Sequence, residues 1–192
     1  MSDDDLESGV RRDREDENEV KVEDEATEHN PTSTRDRDRY RRPLLLWGGT
    51  VGFGLGAVVD VIVFHLILQT HHLLSGTYDP YSYDGLRTNV MVDGLFLAVM
   101  LAVAVVGAAM LWRTVNRARR RLSGLYTTGA VVLGAGVFNV FDGIGSHYVL
   151  DLHNVVHGTE AWNPHWVVVS VVLLVLGGLL VRIATPTRAD SV

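Results

Sequence analysis

Two stretches of sequence that resemble each other decide the fold. Residues 52–73 read GFGLGAVVDVIVFHLILQTHHL, and residues 134–155 read GAGVFNVFDGIGSHYVLDLHNV. With an offset of 82 residues, eight of the 22 aligned positions are identical, and both stretches share the pattern G-x-G-x5-D-x4-H-x5-H. Asp and His are rare and costly inside membranes, so their coincidence in two apolar stretches is informative. We interpret the stretches as equivalent helices of an internal repeat.

Four long apolar runs predict four membrane spans, at about residues 44–74, 90–112, 125–152 and 166–183. A helix needs about 20 apolar residues to cross a bilayer core, and a helix satisfies its own backbone polar groups there. The sequence therefore predicts an all-α fold, an integral membrane four-helix bundle over residues 43–183. Spans one and three cross the bilayer in the same direction, so the two helix pairs form a parallel repeat.

The acidity of the chain lies in its N-terminal tail. Residues 1–42 hold 15 Asp/Glu against 9 Lys/Arg, which accounts for the whole net charge of −6. This segment has almost no large apolar side chains, so we expect a disordered cytoplasmic tail. Residues 184–192 are predicted to form a short C-terminal tail. An acidic chain whose only lysine is Lys21 is typical of salt-adapted, archaeal-like proteins.

The arginines predict the orientation in the membrane. They are concentrated before span one, after span two and after span four, whereas the loops at the other ends of the spans contain only Arg87. Cytoplasmic loops are enriched in Lys and Arg, so both termini are expected in the cytoplasm and the protein in the cell membrane.

Several function classes are excluded or disfavoured by the residues that are missing. The chain has no cysteine, which excludes disulfides and thiolate metal sites. The motifs of soluble hydrolases and nucleotide-binding loops are absent. No base-reading motif accompanies the arginines, so nucleic acid is not an expected partner.

Seven of the eight histidines, all except His29, are predicted to lie near the outer side of the membrane. On a regular α-helix, Asp60 and His71 share a face with Asp60 about 16 Å deeper, while His65 and His72 share another face. The candidate metal ligands are His65, His71, His72, Asp93, His147, His153, His157 and His165. The candidate buried polar or proton-path residues are Asp60, Asp142 and Asp151.

Imidazole is a common ligand of copper, zinc and iron, and paired histidines on facing helices also hold haem. Without cysteine, the donor set suits Cu(II), Zn or Fe better than a soft Cu(I) carrier. We rank copper first, haem iron second and zinc third. Two alternatives remain open: a small proton-coupled transporter or channel using Asp60 and Asp142, and a structural or assembly subunit. Histidine–aspartate clusters also serve di-metal enzymes, although an enzyme is the less favoured reading.

The chain resembles domain-of-unknown-function family 2243, a family of predicted four-helix membrane proteins of bacteria and archaea. The resemblance covers about residues 43–183 and rests on residues 52–72, on Asp93-Gly94 and on residues 138–157. Family members often have Asp-Gly where this chain has Asp60-Val61. The resemblance implies a fold, and loosely a place beside haem–copper oxidase assembly. The expected partners are the lipid bilayer, from the spans, and a respiratory complex, from this resemblance. A second copy in a homodimer is also expected, because four helices are few to enclose a path.

Overall fold

The computed structural model describes residues 31–118 and 122–184, without the side chains of residues 31–38. The chain divides into two units, residues 1–38 and 39–192, and the second contains every side-chain contact described below. The described helices are α1 (Pro31–Asp60), α2 (Tyr83–Arg117), α3 (Gly124–Val140) and α4 (Asn163–Ile183). α1 and α3 continue without a break into π-helical segments, Val61–Ile67 and Phe141–Val149.

Four helical stretches in this part of the chain are long and apolar enough to cross a membrane. They are Arg39–Ile67, Tyr83–Arg117, Gly124–Val149 and Asn163–Ile183. The predicted all-α membrane fold with four helices is therefore confirmed. The helix-pair repeat stays a prediction from the sequence.

The ends of the helices differ from the predicted spans. The backbone of residues 31–42 is helical as the start of α1, although the sequence assigned it to the tail. Arginine favours helices, and Pro31 stands in the first turn, where its missing N–H is not needed. The tail predictions for residues 1–30 and 185–192 lie outside the described residues.

α1 and α3 touch backbone to backbone through glycines. A Cβ atom added to Gly52 would collide with the carbonyl of Val131, and one added to Gly134 would collide with the carbonyl of Gly49. The two contacts are equivalent in the repeat: Gly52 corresponds to Gly134, and Gly49 corresponds to Val131, by the same offset of 82 residues. Small residues allow this close approach of membrane helices, as the sequence predicted.

Both π-helical segments end in a left-handed residue, after which the chain leaves the helix. The N–H of Leu68 donates to the carbonyl of Val63 and that of Leu150 to Gly145, each a step of five residues. The next residues, Gln69 and Asp151, have φ of 51° and 48°. The predicted continuation of these helices to residues 74 and 152 is therefore wrong, because a left-handed residue ends a right-handed helix.

Candidate metal centre

Imidazoles and carboxylates gather in one buried cluster beside the π-helical segments. Eight side chains are at most 5% exposed: Asp60, His65, His71, His72, Asp93, Asp142, His147 and His153. Seven of them come from α1, α3 and the segments that follow these helices, and Asp93 comes from α2. We call these eight residues the cluster.

The π-helical geometry brings each aspartate beside the histidine five residues later. In an α-helix two residues five apart point about 140° away from each other, whereas the wider turn of a π-helix brings them closer. The Asp60 carboxylate lies 3.6 Å from His65 Nε2, and the Asp142 carboxylate lies 3.4 Å from His147 Nε2. The ring of His65 also lies 4.4 Å from that of His71, so the prediction that Asp60 lies about 16 Å deeper than His71 is wrong.

The loops after the π-helical segments return His71 and His153 to the same level. Their rings stack with centroids 4.8 Å apart and an angle of 4° between their planes. His71 Nδ1 donates to the carbonyl of Val155 at 2.9 Å, and His153 Nδ1 donates to the carbonyl of Leu73 at 3.2 Å. Each histidine is therefore held by the loop that carries the other one.

Asp93, which lies on α2, orients two further histidines. One carboxylate oxygen accepts from His65 Nδ1 at 2.8 Å and the other accepts from His72 Nδ1 at 2.7 Å. The backbone N–H of Leu73 also donates to this carboxylate at 2.9 Å. A carboxylate that binds Nδ1 fixes the ring so that Nε2 is free to bind a metal.

His65, His71 and His153 therefore present the same atom to the interior of the cluster. In each ring Nδ1 is occupied as a donor, and Nε2 is buried without a hydrogen-bond partner among the described residues. The other buried side-chain atoms without a partner there are Asp60 Oδ1, Asp142 Oδ2, both ring nitrogens of His147 and the indole Nε1 of Trp166. Buried polar atoms are rarely left unpaired in native proteins, so these atoms are available to a ligand or to ordered water.

The spacing of the donors is compatible with metal coordination. His65, His71 and His153 form one set whose ligand atoms lie within 4.8 Å of one another, and Asp142, His147 and His153 form a second. The carboxylates of Asp60 and Asp142 lie 3.4 to 3.6 Å from the neighbouring Nε2 atoms, which is longer than a hydrogen bond. Donors on one tetrahedral ion with bonds of ~2.0–2.1 Å lie about 3.4 Å apart.

Burial keeps the loop histidines neutral. Burial and the nearby rings of His65 and His153 lower the pKa of His71 to about 2. Burial and the rings of His147 and His65 lower the pKa of His153 to about 3. Burial also lowers the pKa of His157. Neutral imidazole is the form that binds a metal ion.

The remaining predicted site residues lie outside the cluster. The ring of His157 is half-buried and lies 5.5 Å from that of His72, at the edge of the cluster. His165 is exposed and its ring packs on Trp162, so α4 does not close the cluster through it. Asp151 is exposed at the turn and is not a buried polar residue, because its left-handed backbone ends the helix there.

Two aromatic residues that the sequence did not indicate cover the cluster. Phe64 stacks on His71 with centroids 6.2 Å apart, and Trp166 lies 6.4 Å from His71 and 6.3 Å from His147. The Trp166 ring packs against Gly143, where an added Cβ would lie 2.8 Å from the indole. A glycine on one span that packs against a tryptophan on the next leaves no signal in a single sequence.

Comparison with known proteins agrees with this architecture. Residues 47–184 match the family model DUF2243, described as a predicted membrane protein. The chain belongs to this family. The match spans all four candidate membrane helices in whole or in large part. No curated protein and no solved structure matches the chain significantly.

Proposed function

We propose that this DUF2243 protein binds transition-metal ions in the membrane through the cluster. The observation that carries the proposal is the shared state of His65, His71 and His153, in which Nδ1 donates and Nε2 is buried without a partner. A second shell that holds Nδ1 and leaves Nε2 free is typical of metal-binding histidines.

A purely structural cluster explains this arrangement poorly. Leaving a buried polar group unpaired costs about 1–3 kcal/mol. The cluster has seven such atoms on six residues: Asp60, His65, His71, Asp142, His147 and His153. Bound cations would satisfy the lone pairs among these atoms and compensate the buried carboxylates, so they account for both features at once.

The donors favour copper first. Imidazole nitrogen and carboxylate oxygen suit Cu(II), Zn and Fe, and the chain offers no thiolate. Haem ranks below a bare ion, because the rings of His65 and His71 lie 4.4 Å apart and those of His71 and His153 4.8 Å apart. Rings in such contact leave no space for a macrocycle between them.

The proposed setting is the outer side of the cell membrane. The distribution of arginines supports cytoplasmic termini, and with this orientation the cluster, at the opposite ends of spans one and three, faces outwards. A metal centre there suits delivery of copper to a respiratory oxidase or electron transfer beside one. Binding to that complex or to a second copy of this chain is part of the same proposal.

A proton-coupled transporter is the second candidate function. The buried carboxylates of Asp60 and Asp142 lie 3.6 and 3.4 Å from the imidazoles of His65 and His147. Buried carboxylates and histidines in series are also typical of proton paths in membranes. This function predicts flux of protons across the bilayer, which metal binding alone does not.

The test is elemental analysis of untagged protein purified in mild detergent, with and without incubation with Cu²⁺, Zn²⁺ or Fe²⁺. We expect near-stoichiometric metal in the native chain and in His165→Ala, which changes an exposed histidine outside the cluster. Metal is expected to be lost in the double variant His71→Ala with His153→Ala.

Circular dichroism and gel filtration check that the double variant remains folded. Full metal content in the folded double variant would refute the site. Absence of metal in the native chain, combined with proton flux in proteoliposomes that Asp60→Asn with Asp142→Asn abolishes, would favour the transporter instead.

A further inference from the structure

We infer that the cluster holds two metal ions side by side, one bound mainly by each half of the chain. This inference rests on the proposed function and adds the number of ions and their ligands. The first half contributes Asp60, His65 and His71, and the second half contributes Asp142, His147 and His153.

The cluster contains more free metal ligands than one tetrahedral ion can bind. A tetrahedral ion takes four ligands, whereas each of these six residues offers one buried ligand atom that lacks a partner among the described residues. The donors form two overlapping sets whose shared member is His153. Ligands of one ion with bonds of ~2.0–2.1 Å lie at most about 4.2 Å apart. The six residues do not form a single set even within 4.8 Å, so one ion does not reach all of them.

Each half has the composition of a complete site. Two histidines and one carboxylate are a recurrent set for first-row metals, and this set leaves coordination positions open for another ligand. In the first half the carboxylate lies 3.6 Å from His65 Nε2. In the second half it lies 3.4 Å from His147 Nε2 and 3.6 Å from His153 Nε2.

The halves meet closely enough for the two ions to be neighbours. His71 and His153 stack at 4.8 Å, and the ring of His65 lies 5.8 Å from that of His153. Two-metal sites in proteins hold their ions ~3.5–4 Å apart. Because His153 belongs to both donor sets, ions in the two sets would be adjacent.

The buried charge also favours two cations over one. Asp60, Asp93 and Asp142 are each at most 5% exposed, and none faces a lysine or arginine in the ion pairs of the described residues. Charge buried in a membrane protein needs a compensating partner. Two divalent ions compensate three carboxylates more completely than one divalent ion does.

The inference is tested with Cu²⁺ as the probe on untagged full-length protein in detergent. After removal of unbound metal, we expect two copper ions per chain by elemental analysis. The electron paramagnetic resonance signal should be well below that of two isolated Cu(II) ions, because neighbouring spins couple.

His147→Ala should retain one copper ion per chain and show the full signal of an isolated Cu(II). His65→Ala, in the other half, should do the same, and His165→Ala should keep two coupled ions. Two different single variants protect the test against one of them failing to fold.

One copper ion per saturated native chain, with full signal intensity, would overturn this inference and leave the proposed function intact. Two ions with uncoupled signals would also overturn it, because the ions would not be neighbours. No bound copper, zinc or iron would overturn both proposals.

Discussion

The two halves of the cluster carry the same donors but are supported differently. In the first half α2 supplies Asp93, which binds His65 Nδ1 and the backbone N–H of Leu73. In the second half the matching N–H, that of Val155, is bound by the neutral Asn163 of α4. Neither ring nitrogen of His147 has a hydrogen-bond partner among the described residues.

We infer from this difference that the metal ligands of the first half are preorganised, whereas those of the second half can change their orientation. α4 contains no Asp or Glu, so it offers the second half no carboxylate. A histidine held by a carboxylate binds metal more tightly than one whose ring is free to turn. We expect the first half to bind its ion tightly and the second half to exchange its ion more readily.

The largest expected effect is the loss of folding stability in acid, which shows whether the two halves of the cluster respond equally to a falling pH. The pKa values of His71 and His153 are lowered to about 2 and about 3, whereas an unfolded histidine titrates near pH 6.5. Stability is therefore full above pH ~6.5 and is lost as the pH falls towards 3, by about 1.4 kcal/mol per pH unit for each histidine.

Thermal melting of the metal-free protein in detergent between pH 7.5 and 5 measures this loss. His71→Asn and His153→Asn should each remove about half of the pH dependence. A variant that removes all of it, while the other removes none, would show that the two halves are not equivalent in this respect.

The next largest effect comes from removing the carboxylate that distinguishes the halves. Asp93→Asn should weaken the tighter copper site about 10–100-fold, because orienting partners of metal-binding histidines contribute that much. Competition with a chelator measures the affinity. The matched change Asn163→Ala in the second half should affect only the weaker site. Equal weakening of both sites by either change would contradict the asymmetry.

A smaller effect is expected where Trp166 packs on the second half. Position 143 is glycine, and a Cβ there would lie 2.8 Å from the indole. The matching position of the first half, Val61, already carries a buried side chain. Gly143→Ala should destabilise the protein by about 1 kcal/mol through overpacking.

Tryptophan fluorescence and the melting temperature report on this change. Val61→Ala serves as the control in the first half, where it removes volume and leaves the indole in place. An unchanged emission spectrum in folded Gly143→Ala would contradict the packing of Trp166 on the second half.

The smallest effect is expected at the edge of the cluster. His157 is half-buried and contacts the ring of His72 at 5.5 Å without belonging to either donor set. His157→Ala should leave the number of bound ions unchanged and alter copper affinity by only a few-fold. Loss of an ion in this variant would place His157 among the ligands.

The four spans and most of the cluster could be predicted from the sequence. Hydropathy indicates a span whatever its neighbours are, and Asp or His in such a span is rare enough to be informative. His65, His71, His147, His153 and Asp93 were identified in this way, and the structure brings them together.

α-Helical periodicity could not predict how deep the cluster residues lie in the membrane or in which direction their side chains point. The π turns rotate His65 and His147 towards their aspartates, and the left-handed Gln69 and Asp151 end the helices early. Glycine usually marks such a backbone conformation, and neither position is glycine. The periodic pattern therefore placed Asp60 too deep and assigned Asp151 to the interior.

X-ray absorption spectroscopy at the copper edge, on untagged copper-loaded protein, tests whether the buried histidines bind the metal. We predict nitrogen or oxygen neighbours at about 2.0 Å, with the outer-shell scattering of several imidazoles per copper, and loss of that imidazole scattering in folded His71→Ala with His153→Ala. A first shell without imidazole, or one dominated by methionine sulfur, would contradict the claim that these buried histidines bind the metal.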